Sequence, residues 1–216
     1  MQFEGAVIQG THPTGLSHLR VVCQDHCVND NLGDLSTYWK VPFEWEPRHV
    51  GPSWNARPEI SWITAEDDSM FLDVVARSLA ESVDSHDVAR VRQFGAKEYA
   101  ARLLTAVTER KLIHERDWWQ ILRFRDEAAG FVLPVIYDGC AKGGRDEGTI
   151  FHLGIVPTFR GTGLGRELLI QATRTLVEHG VWRIYCDTAL TNEPMIHLFE
   201  TEGWTRLPIH ERPIND

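Results

Sequence analysis

Residues 154–180 constrain the fold of this chain more than any other stretch. Ile150, Phe151, Leu153, Ile155 and Val156 form a short apolar run of β-favouring residues, which predicts a strand covered on both faces. Pro157 ends it, because proline has no N–H for the next rung of a ladder. Arg160-Gly161-Thr162-Gly163-Leu164-Gly165 follows. Leu164, Leu168, Leu169, Ala172, Leu176 and Val177 then recur at helical spacing, and Gly180 is placed to stop the helix. The first amides of a helix lack intrahelical partners, and the aligned peptide dipoles make that end positive. Gly161, Gly163 and Gly165 bare those amides to a bulky guest, and Arg160 and Arg166 add cationic donors. A diphosphate held mainly by backbone is the natural ligand.

Spacing narrows the choice of diphosphate. A P-loop needs a lysine beside its last glycine, and this turn has none. The dinucleotide fingerprint Gly-x-Gly-x-x-Gly follows its strand directly, with an acid about twenty residues on. Asp187 could serve as that acid, but Arg166 stands where the third glycine belongs, and residues 157–160 separate strand from glycines.

The pattern Ile155-x-Pro157-x-x-Arg160-Gly161-x-Gly163-Leu164-Gly165 closely resembles the acyl-coenzyme A motif of the GNAT acetyltransferase superfamily. A second stretch, Asn192 followed by Leu198-Phe199-Glu200-Thr201-Glu202-Gly203-Trp204, is similar to that family's Asn…Leu-Tyr-x-x-x-Gly-Phe. The resemblance runs from about Asp117 to Trp204. It implies an α/β fold with a mixed, mostly antiparallel central sheet flanked by helices, and acetyl-coenzyme A as cosubstrate. It places the pantetheine arm on the backbone of Ile155 and Val156. The diphosphate falls to Arg160, Gly161, Thr162, Gly163, Leu164, Gly165 and Arg166, and Asn192 assists at the coenzyme or caps its helix. The implied acceptor is a primary amine of a small molecule or peptide. The second reading is a coenzyme A-binding sensor or structural module with little catalysis.

Elsewhere the chain sets bounds. Its 216 residues suit one family-like domain, 59–216, with an extension, 1–58, packed on it. A net charge of -9 excludes a broad basic face for nucleic acid and suits cationic acceptors. No apolar run is long enough to span a membrane and Met1-Gln2-Phe3-Glu4 does not open a signal peptide, so a cytoplasmic location is expected. Cys23 and Cys27 have no second ligand pair at zinc-finger spacing, and no metal is expected. In the extension, Phe3–Ile8 and Leu19–Cys23 read as short strands, and Pro42, Pro47, Pro52 and Pro58 argue against long elements. Trp39, Trp45 and Trp54 need burial, in a satellite core, an acceptor-site wall or a homodimer contact. Further on, Ile60–Thr64 reads as a strand and Glu66–Leu79 as a helix. Ser82–Arg92 reads as a polar connection, and Tyr99 to Val107 marks a second helix. Asp126–Gly130 reads as a hairpin turn and 139–148 as a glycine-rich loop, and the strand 182–186 and a helix from Asn192 to Gly203 complete the pattern. The N-terminal strands are expected to fill the sheet edge that the short tail leaves open.

The implied chemistry sets a proton problem. An amine of pKa about 10.4 is neutral in roughly one molecule in 2,500 at pH 7, a handicap of roughly 4.6 kcal/mol. A base must remove a proton, and donors must hold the developing oxyanion. The family's base positions fall on Thr149 and Phe151, which are not bases. His152 is the adjacent candidate, although strict alternation turns it to the other face. Asp187, at the end of the next strand, is the second candidate, and Glu147 a third. The family's tyrosine acid falls on Phe199, which has no hydroxyl, leaving solvent or His197 to supply the proton.

Overall fold

The computed structural model describes residues 37–47, 57–64 and 67–213. The expected strands at 3–8 and 19–23, and Trp54, lie outside the described residues. Eight strands form one sheet, ordered β2-β3-β4-β5-β6-β1-β7, with β8 also paired to β1. These are β1 (Thr37–Trp45), β2 (Ile60–Thr64), β3 (Gln120–Phe124), β4 (Glu127–Lys142), β5 (Arg145–Ile155), β6 (Arg183–Ala189), β7 (Thr205–Arg206) and β8 (His210–Pro213). Every pairing is antiparallel except β5 with β6. The helices are α1 (Asp68–Leu79), α2 (Ser85–Phe94), α3 (Ala96–Glu109), α4 (Leu164–Glu178) and α5 (Glu193–Thr201). This is the expected mixed, mostly antiparallel sheet between helices.

Glycines show which helix covers which face. A Cβ on Gly154 would meet Ser78 Oγ of α1 at 2.7 Å, and one on Gly148 would meet Leu176 of α4 at 3.0 Å. The α1 side and the α4 side therefore press on opposite faces of β5. Phe71, Val74, Val75 and Leu79 of α1 are buried as their spacing requires, and Met70 stays exposed. The Leu164, Leu168, Leu169, Ala172 and Leu176 stripe of α4 is buried. Gly180 takes φ 76°, the left-handed conformation that stops a helix.

Four expectations are corrected. Ser85–Phe94 is a helix and not a connection, because Asp84 caps it, accepting from the amides of His86 at 3.0 Å and Asp87 at 3.5 Å. The first hairpin turns at Arg125-Asp126, both left-handed, as a two-residue turn demands. Residues 139–148 are the tip of a long β4–β5 hairpin that reverses at Gly143-Gly144, again both left-handed, with Lys142 facing Arg145. Pro42 does not break its segment. It sits mid-strand in β1, with its carbonyl accepting from Leu207 at 2.9 Å, in the gap between the rungs to β8 and β7 where a missing N–H costs no bond. Strand β1 runs between β6 and the tail strands, with Trp45 buried and Trp39 47% exposed.

Candidate functional site

Strands β5 and β6 pair only at Glu147–Arg183 and Gly148–Ile184 and then separate. Cys186 sits in the crotch of this fork, its sulfur accepting from the Ile150 amide at 3.3 Å. Beyond it, among the described residues, the edge of β5 has no strand partner. The Val156 amide donates back to Ala129 of β4 at 2.9 Å, so alternation turns the backbone groups of Ile155 to the open edge. Of the two residues expected to hold a pantetheine arm, Ile155 turns its amide to that edge. Val156 does not, because its amide donates to Ala129, and its carbonyl accepts from Phe159 at 2.9 Å.

The glycine turn follows directly. Gly161 and Gly163 take φ 76° and 82°, and a Cβ on Gly161 would meet nothing within 4 Å. Gly163 caps α4 without a side chain. Among the described residues no acceptor meets the amides of Gly161, Thr162, Gly163, Leu164 and Gly165. An open strand edge leading to a cradle of unpaired amides fits a pantetheine diphosphate, and the helix end supplies positive potential.

The two arginines of the turn are differently employed from the expectation. Arg160 donates to the carbonyls of Ile155 (3.1 Å), Glu81 (2.7 Å), Ser78 (2.8 Å) and Ala80 (3.0 Å). Its guanidinium caps the C-terminal end of α1 and ties it to the last residue of β5, because a fork of donors there meets carbonyls that the helix leaves unpaired. Arg166 donates to Glu202 at 2.6 Å. Asn192 caps α5, its side-chain oxygen accepting from the Met195 amide at 3.3 Å.

On the α1 and α2 face, a β-bulge changes the reading of β5. Leu133 pairs with His152 and Val135 with Thr149, and the extra residue is Phe151. Leu133 and Val135 share a face, so His152 shares the face of Thr149, contrary to strict alternation. His152 Nε2 lies 3.4 Å from Asp87 Oδ1, and its ring stacks on Phe131 with centroids 5.6 Å apart. Asp87 also accepts from Tyr99 Oη at 3.2 Å and Ser82 Oγ at 3.1 Å. Burial alone would raise the Asp87 carboxyl pKa, but His152 beside it overrides that and holds it below the ordinary range. Burial would likewise lower His152, and the Asp87 charge overrides it and raises the imidazole. Asp84 accepts from the Ala189 amide at 3.0 Å and Thr188 Oγ1 at 3.3 Å. The first turn of α2 thus reaches β5 through Asp87 and β6 through Asp84, bridging the fork. Sequence reasoning passed over both; the sole signal was the capping pattern at Asp84.

Asp187 lies on the same face and is ion-paired with Lys40 of β1. Burial would lower Lys40, but the Asp187 charge more than offsets this and holds the ammonium. Tyr137 is pushed up to about 12, first by burial and then by the Asp187 charge. Arg183 joins Glu147 to Glu44, with Nη1 3.2 Å from Glu44. The candidate bases are therefore each held by a partner: His152 by Asp87, Asp187 by Lys40, Glu147 by Arg183. Phe199 is 2% exposed, stacked on Phe43 at 4.7 Å and tilted against Trp204 at 4.9 Å, so its position is core and not cleft wall. No group of three or more potential metal ligands occurs among the described residues, and no helix among them is long and apolar enough to cross a membrane.

Known proteins resemble this chain. The chain is 33% identical over 96 residues to a mycothiol acetyltransferase of Propionibacterium freudenreichii, over 42% of this chain and 30% of that protein. It is 29% identical over 92 residues to acetyltransferase ECA0875 of Pectobacterium atrosepticum, over 43% of this chain and 60% of that one. The match thus spans less than two thirds of either relative. A GCN5-related N-acetyltransferase from Sphaerobacter thermophilus superposes on 82% of this chain and 52% of its own, with TM-score 0.54 at 14% identity, a likeness of fold. The profile of the acetyltransferase (GNAT) family matches residues 84–204, more than half of the chain. With the fork and the glycine turn in place, the chain belongs to the GNAT acetyltransferase family.

Proposed function

We propose that this chain is an N-acetyltransferase that moves the acetyl group of acetyl-coenzyme A to a primary amine of a small molecule or peptide. The observation that carries this reading is the β5 edge, open among the described residues, running into the amides of residues 161–165, which meet no acceptor among those residues, at and just before the start of α4. Acetyl-coenzyme A supplies an activated thioester. The Ile155 backbone and the amides of residues 161–165 bind and orient it, and α4 closes the opposite side of the sheet. The acceptor approaches over the α2 face, where His152 and Asp187 are the candidate proton acceptors. His152 is the better placed of the two, since it stands on β5 itself.

Incubation with acetyl-coenzyme A and a panel of primary amines, read as free thiol released and acceptor mass gained by one acetyl group, tests the reading. Turnover with at least one amine is expected, and a chain that binds the coenzyme but acetylates none contradicts it. That second outcome belongs to the coenzyme A-binding module, which one observation favours: the buried Phe199 where the family motif has tyrosine.

A further inference from the structure

Both arginines of the glycine turn are engaged within the fold. Arg160 spends its donors on four carbonyls, and Arg166 is held by Glu202. A third arginine reaches the turn from outside the residues that match the family profile. Arg57, just before β2, places Nη1 3.4 Å from the Thr162 carbonyl and 3.7 Å from where a Cβ on Gly163 would stand. Its guanidinium lies 5.8 Å from the centroid of the Phe124 ring, which Arg125 approaches at 5.0 Å. The backbone from Arg57 to β2 is tied down by hydrogen bonds. The Arg57 carbonyl accepts from Ile60 at 3.0 Å, and Glu59 accepts from Arg125 at 2.9 Å. Among the described residues Arg57 meets no carboxylate.

We infer that Arg57 is a further coenzyme-binding residue, supplying the cation for a phosphate of coenzyme A at the glycine turn. The inference rests on the acetyl-coenzyme A reading above. Turning Arg57 to a phosphate gives up one long bond to a neutral carbonyl, and a planar guanidinium pairs with phosphate oxygens two at a time. Releasing Arg160 would strip four carbonyls, and releasing Arg166 would leave Glu202, whose side chain is 10% exposed, without its cation. In a chain of net charge -9, a cation free to meet a polyanion at the site matters more than it would in a basic one.

Calorimetric titration of the full chain with coenzyme A and with 3′-dephospho-coenzyme A tests this, in wild type, Arg57→Gln, Arg57→Lys and Arg166→Gln, at two salt concentrations. Arg57→Gln is expected to weaken coenzyme A by about tenfold, the scale of one charged hydrogen bond, and to flatten the salt dependence. Arg57→Lys recovers part of the loss and Arg166→Gln costs less than Arg57→Gln. Equal weakening of both ligands puts the contact on the diphosphate, and weakening of coenzyme A alone puts it on the 3′-phosphate; either supports the inference. A Kd within twofold of wild type in Arg57→Gln, or a larger loss in Arg166→Gln, overturns it. A wild type that binds neither ligand overturns the acetyltransferase reading and this inference together.

Discussion

The glycine turn and the α2 face of the sheet are built from opposite materials. At the turn, side chains are withdrawn: residues 161–165 present amides, and the two motif arginines point back into the fold. On the α2 face, side chains carry everything, and they are already engaged with one another in the Asp87–His152, Lys40–Asp187 and Arg183–Glu147 pairs. In the proposed reading the first region offers backbone donors to a diphosphate. The second has to be opened or polarised by the acceptor. On the proposed reading, the coenzyme is held by backbone at the turn and the acceptor is met by side chains on the α2 face.

The largest effect tests the backbone side. Gly163→Val puts a branched side chain on a residue at φ 82°, in the mouth of the amide cradle. Coenzyme A binding should fall by roughly 100-fold or more, with strain of about 1–2 kcal/mol and an unchanged far-UV circular dichroism spectrum. Retained affinity would mean that the turn is not the ligand cradle.

Asp87→Asn tests the side-chain side. It leaves His152 buried without its counter-charge and should cost about 3 kcal/mol in urea unfolding near pH 5.5. The sign with pH follows from both partners. Asp87 is lowered, so its share is present above about pH 4 and is lost as pH falls through its folded value; His152 is raised, so its share is complete below about pH 6.5 and is lost as pH rises through its folded value. The gap between wild type and variant should therefore be widest from about pH 4 to about pH 6.5 and narrow on either side. A pH-independent gap would contradict the ion pair.

Arg160→Met sharpens the comparison, because the account places this motif residue in the fold and not on the ligand. Its loss exposes the carbonyls of Ser78, Ala80 and Glu81 and should cost about 2 kcal/mol of stability. A variant of unchanged stability with abolished coenzyme binding would restore the expectation from the motif. The smallest effect comes from Phe199→Tyr. A hydroxyl in that stacked, buried position should cost about 1–2 kcal/mol and leave turnover nearly unchanged. A large gain in turnover would show that the position faces the cleft.

The sequence made the backbone region legible because such a site leaves a mark that spacing alone can carry. Glycines at 161, 163 and 165 after Pro157, and an apolar stripe after them, have few other physical reasons to occur together. The α2 face left no comparable mark. Helix α2 is short and mostly polar, and Asp87 is its one buried residue, so no apolar period announces it. The bulge at Phe151 shifted His152 by one face, and a bulge is a pairing event that one strand read alone does not contain. Pro42 argued against a strand that exists because the partner strands leave a gap opposite it. Arg160 carried the right chemistry for phosphate, but the C-terminal end of α1 that claims it comes from about 80 residues earlier.

Backbone amide hydrogen exchange, with and without acetyl-coenzyme A, tests the central claim most directly. The account predicts that the coenzyme slows exchange at Ile155 and at residues 161–165, and leaves the β1 amides of Lys40, Val41, Phe43 and Glu44 unchanged. Protection centred on β1 and the α2 face, with none at 161–165, would contradict it.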